Sequence, residues 1–173
     1  MPNRWKPNVT VSAVIERDQR FLLVEENTSD GLRLNTPAGH LDPAETPLQA
    51  CVREVLEETA YSFTPSALVG IYMNRFLRTR TGTDITYMRF AFTGELGMYH
   101  AHRVLDDGIV RTLWLTLEEL QATAHLHRSP VVLQSVQDYL AGQRFDTSLI
   151  QADASLYKVP EPTPSTHDLL ARL

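Results

Sequence analysis

Gly39–Tyr61 reads GHLDPAETPLQACVREVLEETAY, and the rest of the chain is best understood outward from this stretch. Thr46 suits an N-cap, and Pro47 suits the first helical position, where a missing N–H costs little. The spacing therefore predicts a helix from Pro47 to Thr59. Leu48, Cys51, Val52, Val55, Leu56 and Thr59 fall on one arc at helical spacing and are expected to face the core. Glu54, Glu57 and Glu58 stand at i, i+3 and i+4, which stacks them on one face, expected opposite the Leu48/Val52/Leu56 arc. Arg53 lies i, i+4 from Glu57 and can steady it.

Two readings of the glutamates compete. A solvated acidic face tolerates like charges, which cost about 0.2–0.5 kcal/mol per pair. A metal site would use them as ligands. Glu45, just before the helix, can reach back toward the stripe, and Gly39 lets backbone approach a ligand closely because it has no Cβ. Hard oxygen donors of this kind suit Mg²⁺ or Mn²⁺ and not zinc. The one cysteine, Cys51, sits on the apolar arc, which argues against a thiolate site.

On either side of this helix the chain alternates short apolar runs with polar breaks. Val9–Ile15 and Phe21–Glu25 read as a strand pair, Asn27–Leu34 as a loop, and Thr36–His40 as a turn-rich lead into the helix. Ala67–Leu77 and Asp84–Glu95 read as strands joined by the polar tip Arg78–Thr83, and Ile109–Leu115 as another strand. Thr116-Leu117-Glu118-Glu119 resembles a capping box opening a short helix, and Ser129-Pro130 starts a last helix ending near Gly142. The expected fold class is α/β (α+β): a mixed sheet sandwiched between helices over residues 1–157. Residues 158–173 form a Pro-rich tail, with an extended spacer before three leucines. Dinucleotide and P-loop glycine motifs and the G-x-S-x-G nucleophile motif are absent.

The 173 residues suit one domain with an appendage. A net charge of −5 disfavours a general nucleic-acid binder. No apolar run is long enough to span a bilayer, no secretory h-region follows the N-terminus, and one cysteine allows no internal disulfide. A reducing cytoplasmic setting is the expectation. Lys6 and Lys158 are the two lysines; the other basic residues are arginine, which reflects either phosphate-binding forks or codon bias.

Gly39, five residues, Glu45, seven residues, then Arg53-Glu54-Val55-Leu56-Glu57-Glu58-Thr59 resembles the Nudix box, G-x5-E-x7-R-E-U-x-E-E-x-G-U, where U is bulky and apolar. Ala60 stands where the pattern has its last glycine. That position lies just past the helix end, where left-handed backbone is common, and alanine there costs about 1 kcal/mol. Trp5–Val11, Pro37–Leu41, Arg89-Phe90, Arg128-Ser129-Pro130 and Gly142-Gln143-Arg144 are further similar to the NudJ group of bacterial phosphatases, from about Trp5 to Ile150. The resemblance implies a Nudix-type fold and a Mg²⁺- or Mn²⁺-dependent hydrolase acting on acid anhydrides of phosphorus. Implied substrates are nucleoside tri- and diphosphates and the pyrimidine diphosphate of thiamine synthesis. It implies Glu54, Glu57 and Glu58 as metal ligands, Glu57 or Glu58 also as base, and Arg53 as part of the catalytic set. Glu45 supports the cluster, and the Gly39 carbonyl is an added ligand. Alternatives are an RNA 5′-end pyrophosphohydrolase, which the acidic charge disfavours, and a non-catalytic ligand sensor, which would not need the full set of carboxylates.

Beyond the box, Arg89 is a candidate phosphate clamp or a surface ion pair. Trp5, Lys6, Tyr72 and Tyr87 are candidates to stack on or hydrogen-bond a ring, with core packing as the alternative for the aromatics. Asp106 and Asp107 read as a metal ligand or base, or as a solvated turn. His40 is a candidate pocket residue, and His125 and His127 are expected at the surface. The small-molecule partner is a diphosphate, and the tail is expected to dock on a second copy as a homodimer.

Overall fold

In the computed structural model, which describes residues 4–78 and 81–158, the β-branched run near the N-terminus forms strand β1 (Asn8–Ala13). Next comes a hairpin of β2 (Glu16–Arg17) and β3 (Arg20–Thr28). Its two turn residues, Asp18 and Gln19, have φ of 51° and 60°, the geometry of a type I′ turn. The stretch expected to be a loop instead continues β3 to Thr28 and returns as β4 (Gly31–Asn35). Its polar composition hid a pairing partner: Glu25, Glu26 and Asn27 lie opposite Leu34, Arg33 and Leu32. Gly31, at φ 90°, supplies the turn. The turn-rich lead into the helix likewise contains a short strand, β5 (Ala38–His40), paired with β1.

Helix α1 (Pro47–Thr59) has the expected bounds, with Thr46 and Gln49 closing a capping box. Strands β6 (Tyr61–Arg78) and β7 (Thr83–Tyr99) are longer than the apolar runs suggested, because pairing continues through register shifts at Tyr61/Phe63, Pro65/Ala67 and Leu68/Gly70. Pro65 is tolerated because β6 is an edge strand and the ladder is irregular there. Strand β8 (Ile109–Leu115), α2 (Leu117–Ala122) with its Thr116/Glu119 capping box, and α3 (Val131–Leu140) complete the order.

The strands divide into two sheets. One runs β5-β1-β7-β6 and is mixed, with β1 parallel to β7 and the other pairs antiparallel. In the other, β3 pairs antiparallel with β2, β4 and β8. Alternation along β3 feeds two cores. Leu22 joins Val11, Val55, Phe63 and Phe92 beneath α1. Phe21 and Leu23 join Leu120, Val132 and Val136 beneath α2 and α3. The run FLLV is continuously apolar because both faces of that strand are covered.

Cys51 lies in the first core with no solvent exposure, its thiol 3.5 Å from the Ser12 carbonyl oxygen. The buried face of α1 is rotated from the expected arc. Ala50, Cys51, Val55 and Thr59 are buried as an apolar face, but Glu54 and Glu58 are buried with them, and Val52 is 36% exposed. His127 is buried and not a surface residue: it forms a bridge with Leu34 beside β4. The leucine-bearing tail segment lies outside the described residues.

Candidate active site

Arg53 is the hub of the first half of the site. Its Nη2 donates to Glu45 Oε1 at 2.7 Å and to the His40 carbonyl at 2.9 Å, and its Nε donates to Glu45 Oε2 at 3.1 Å. Its Nη1 donates to Glu54 Oε1 at 2.7 Å and to Glu57 Oε2 at 3.0 Å. The guanidinium fork thus ties the loop before α1 to two successive carboxylates of the helix. The Arg53 hydrogen bond holds the Glu45 carboxyl below the usual carboxylate range, against a smaller opposing effect of burial.

Around Glu58, by contrast, no such cation is bonded among the described residues. Glu54 and Glu58 are 7% and 8% exposed, so the stripe is not a wet face. Glu58 Oε2 accepts the Ala38 backbone N–H at 2.8 Å. Burial pushes the Glu58 carboxyl up to about 9; the Ala38 N–H opposes the rise, while the charges of Glu26, Glu54 and Asp106 add to it. Burial also raises Glu54, with Arg53 opposing and Glu57 and Asp106 adding.

Gly39 explains the close approach. A Cβ there would collide with the Glu54 carboxylate, so glycine alone leaves room for that side chain against β5. The helix exit is left-handed, with Ala60 at φ 59° and its N–H bonded to the Leu56 carbonyl at 3.0 Å.

Among the described residues no three His, Cys, Asp or Glu side chains close on one point; Arg53 spans several of them instead. The donor set still fits a divalent cation on two counts. All the side-chain donors are carboxylate oxygens, and Glu58 is crowded by three other carboxylates whose mutual repulsion a cation would relieve.

A cleft of about 380 Å³ opens beside this cluster, between the two sheets. Ala38 and Gly39 form its edge toward α1, and Arg89, His40, Tyr87 and Phe76 line it. Tyr87 packs edge-on against Phe76 with centroids 5.8 Å apart, and against His40 at 6.1 Å. Arg89 is buried, and burial brings its guanidinium down to about 10, with Glu26 and Glu58 opposing the fall.

The structure therefore brings together Gly39, Glu45, Arg53, Glu54, Glu57 and Glu58, and places Arg89, His40 and Tyr87 along the adjoining cleft. It does not bring in Trp5, which is 67% exposed, nor Lys6. Tyr72 points elsewhere and donates to Asp138 of α3 at 2.8 Å. Of the aspartate pair, exposed Asp107 stays outside the cleft lining. Asp106 is the nearer: its N–H donates to the Glu57 carbonyl at 3.1 Å, and its charge acts on Glu54 and Glu58. Glu26, Asn35 and Arg128 also reach the cleft without having been marked by sequence spacing. They come from β3, β4 and the turn before α3, and no local pattern could have joined them.

Residues 6–135 match the model of the NUDIX domain. The chain is 35% identical over 147 residues to Phosphatase NudJ of Escherichia coli strain K12, covering 84% of this chain and 92% of that protein. It is similar in structure to a NUDIX hydrolase from Nitrosomonas europaea, with a TM-score of 0.78 and 48% identity over 86% of this chain and 98% of that one. The NUDIX domain of Shewanella oneidensis NrtR, in a structure complexed with ADP ribose, shares the fold at a TM-score of 0.61 and 20% identity, over 80% of this chain and 90% of that one.

Proposed function

The chain belongs to the NUDIX domain family, and from that membership we propose that it removes phosphate or pyrophosphate from small diphosphate-containing molecules by attack of water on phosphorus. Its class is that of hydrolases acting on phosphorus-containing anhydrides. The proposed substrates are nucleoside tri- and diphosphates, with hydroxymethylpyrimidine diphosphate as a further candidate.

The observation that carries this reading is the buried, cation-poor cluster around Glu58, beside a cleft walled by Arg89. Glu54, Glu57, Glu58 and the Gly39 carbonyl would hold Mg²⁺ or Mn²⁺. When bound, such a metal offsets phosphoryl charge and lowers the pKa of water. Arg53 fixes Glu57 through its Nη1 and fixes the approach loop through Glu45 and His40. Glu57 or Glu58 takes the proton as the water oxygen forms its bond to phosphorus and the bridging oxygen leaves. Phosphoryl transfer asks mainly for positioning and charge stabilisation, and carboxylates on a rigid helix satisfy the first requirement. Arg89, Tyr87 and His40 line the cleft; in this reading Arg89 would meet phosphate, and Tyr87 and His40 a flat ring.

A panel of nucleoside tri- and diphosphates and the pyrimidine diphosphate, incubated with Mg²⁺ and followed by phosphorus NMR, tests the reading. Release of phosphate or pyrophosphate from at least one of them, abolished by EDTA, is expected. No turnover across the whole panel would overturn it.

A further inference from the structure

A second cavity, of about 350 Å³, lies between the loop that leads into α1 and the strap of chain that follows α3. The strap starts where Phe145 exchanges two backbone hydrogen bonds with Leu68, at 2.8 and 2.9 Å, on the edge strand β6. It then makes two short turns of 3-10 helix, Thr147–Leu149 and Ala154–Tyr157. Each is capped by an aspartate: Asp146 accepts the Ser148 N–H at 2.7 Å, and Asp153 the Ser155 N–H at 2.8 Å. Tyr157 then donates to Gln49 Oε1 of α1 at 3.4 Å. The cavity floor between strap and loop is apolar, built by Leu41, Pro47, Ile150 and Leu156. Ile150 packs on the core beneath α1, whereas Leu156 remains 36% exposed. Glu45 and Asp153 stand in the same wall, and among the described residues no lysine or arginine lines it. A concave apolar floor gains stability when a further apolar group covers it.

The course of the chain points to the occupant. The described residues end at Lys158, just after Leu156, so the chain leaves from the rim of this cavity. Residues 159–173 follow. The stretch 159–168 can span about 30 Å at ~3.1 Å per residue, enough to leave the rim and come back. A tether of that length keeps the chain end at roughly millimolar effective concentration beside its own rim. The chemistry matches as well. The chain ends Leu169-Leu170-Ala171-Arg172-Leu173, with three leucines for an apolar floor and one cation for a wall whose charged groups are both acidic.

We propose that the chain's own C-terminal segment, residues 169–173, docks in this cavity, its leucines against Leu41, Pro47, Ile150 and Leu156 and the Arg172 guanidinium toward Glu45 and Asp153. The docked segment covers the loop from Leu41 to Pro47. That loop carries Glu45, whose carboxylate receives the Arg53 fork. The segment therefore braces the hub of the carboxylate cluster from outside and leaves the cleft open. The docking does not depend on which reaction the cleft performs.

Amide hydrogen exchange over residues 41–49 of the full-length chain reads the docking, with mass followed by light scattering. The wild type is compared with Leu169→Ser/Leu170→Ser/Leu173→Ser, with Leu156→Asp, and with the two combined. The segment variant is expected to exchange about threefold or more faster over residues 41–49. Leu156→Asp should do the same, and the combination should add nothing to Leu156→Asp alone. Exchange in β7 should stay at the wild-type rate in the segment variant, which separates lost docking from general loosening. Wild-type exchange over residues 41–49 in the segment variant overturns the docking, and so do effects that multiply in the combination. A wild-type mass of two chains that falls to one in the segment variant also overturns it, in favour of a segment seated on a second copy.

Discussion

The two halves of the carboxylate cluster use the same side chain in opposite ways. Around Arg53, glutamates are fastened: Glu45 accepts from Arg53 Nε and Nη2, and its carboxyl is held low. One helical turn on from Glu54, Glu58 has a backbone N–H and three acidic neighbours, and its carboxyl rises to about 9. Residue type is shared, and the difference comes from burial together with where the arginine reaches: Glu45, in the loop before α1, is bonded to Arg53, whereas Glu58 is buried on the helix beyond it. The fastened half sets geometry, and the unfastened half retains the appetite for a cation.

Removing a carboxylate from the helix face should have the largest effect. Glu57→Gln and Glu58→Gln are each expected to lower kcat by about 10²-fold or more in steady-state assays with Mg²⁺, while remaining folded by circular dichroism. Near-normal turnover in both would show that the helix-face carboxylates, whether held by Arg53 or not, take no part in the chemistry.

Next comes the hub itself. Arg53→Ala leaves Glu45, Glu54 and Glu57 without their shared donor, and the loss should be about 2–3 kcal/mol. For a chain of this size that corresponds to a melting point lower by about 5–10 °C in calorimetry. A shift under a degree would mean that Glu45 and its loop are held by something else.

These two expectations separate what the sequence displays from what it conceals. The limits of α1, its capping box and the spacing of Arg53, Glu54, Glu57 and Glu58 are local, so they can be read directly. The burial of Glu54 and Glu58 is not local. It depends on β5 crossing the helix with a glycine at position 39, and hydrophobic periodicity alone rotates the inner face toward Val52. Strand β4 was hidden because polar residues such as Arg33 and Asn35 face the cleft and take part in it. Glu26 and Arg128 belong to the site through sheet pairing and a turn, which single-sequence spacing cannot supply.

The pH response sharpens the contrast further. The folded Glu58 value, about 9, lies above the ordinary carboxylate value of 4.5. Between the two, the folded chain holds a proton that the unfolded chain has lost, so stability falls as pH rises through that window. The metal-free protein should therefore melt at progressively lower temperature from pH 6 to pH 9. Glu58→Gln should flatten the profile, and Mg²⁺ should lift its alkaline end, because metal binding favours the ionised ligand. A rising profile for the metal-free wild type would contradict the assignment.

The smallest effect lies at the end of the helix. Ala60→Gly relieves a left-handed alanine at φ 59° and should stabilise by about 0.5–1 kcal/mol. A gain of about 1–4 °C in melting temperature is expected, with turnover unchanged. A clear decrease would show that the alanine methyl, buried at 1% exposure, contributes more by packing than its backbone conformation costs.

The sealed thiol of Cys51 has a practical consequence. With no exposed surface, and with burial disfavouring its thiolate, it should be silent to maleimides and other sulfur-selective reagents in the native state. The chain is thus already a blank background for site-directed labelling. A cysteine introduced at Thr83, a half-buried strand position that lines the cleft, would take up a fluorophore alone, giving an optical reporter at the cleft without first deleting a native residue from the core.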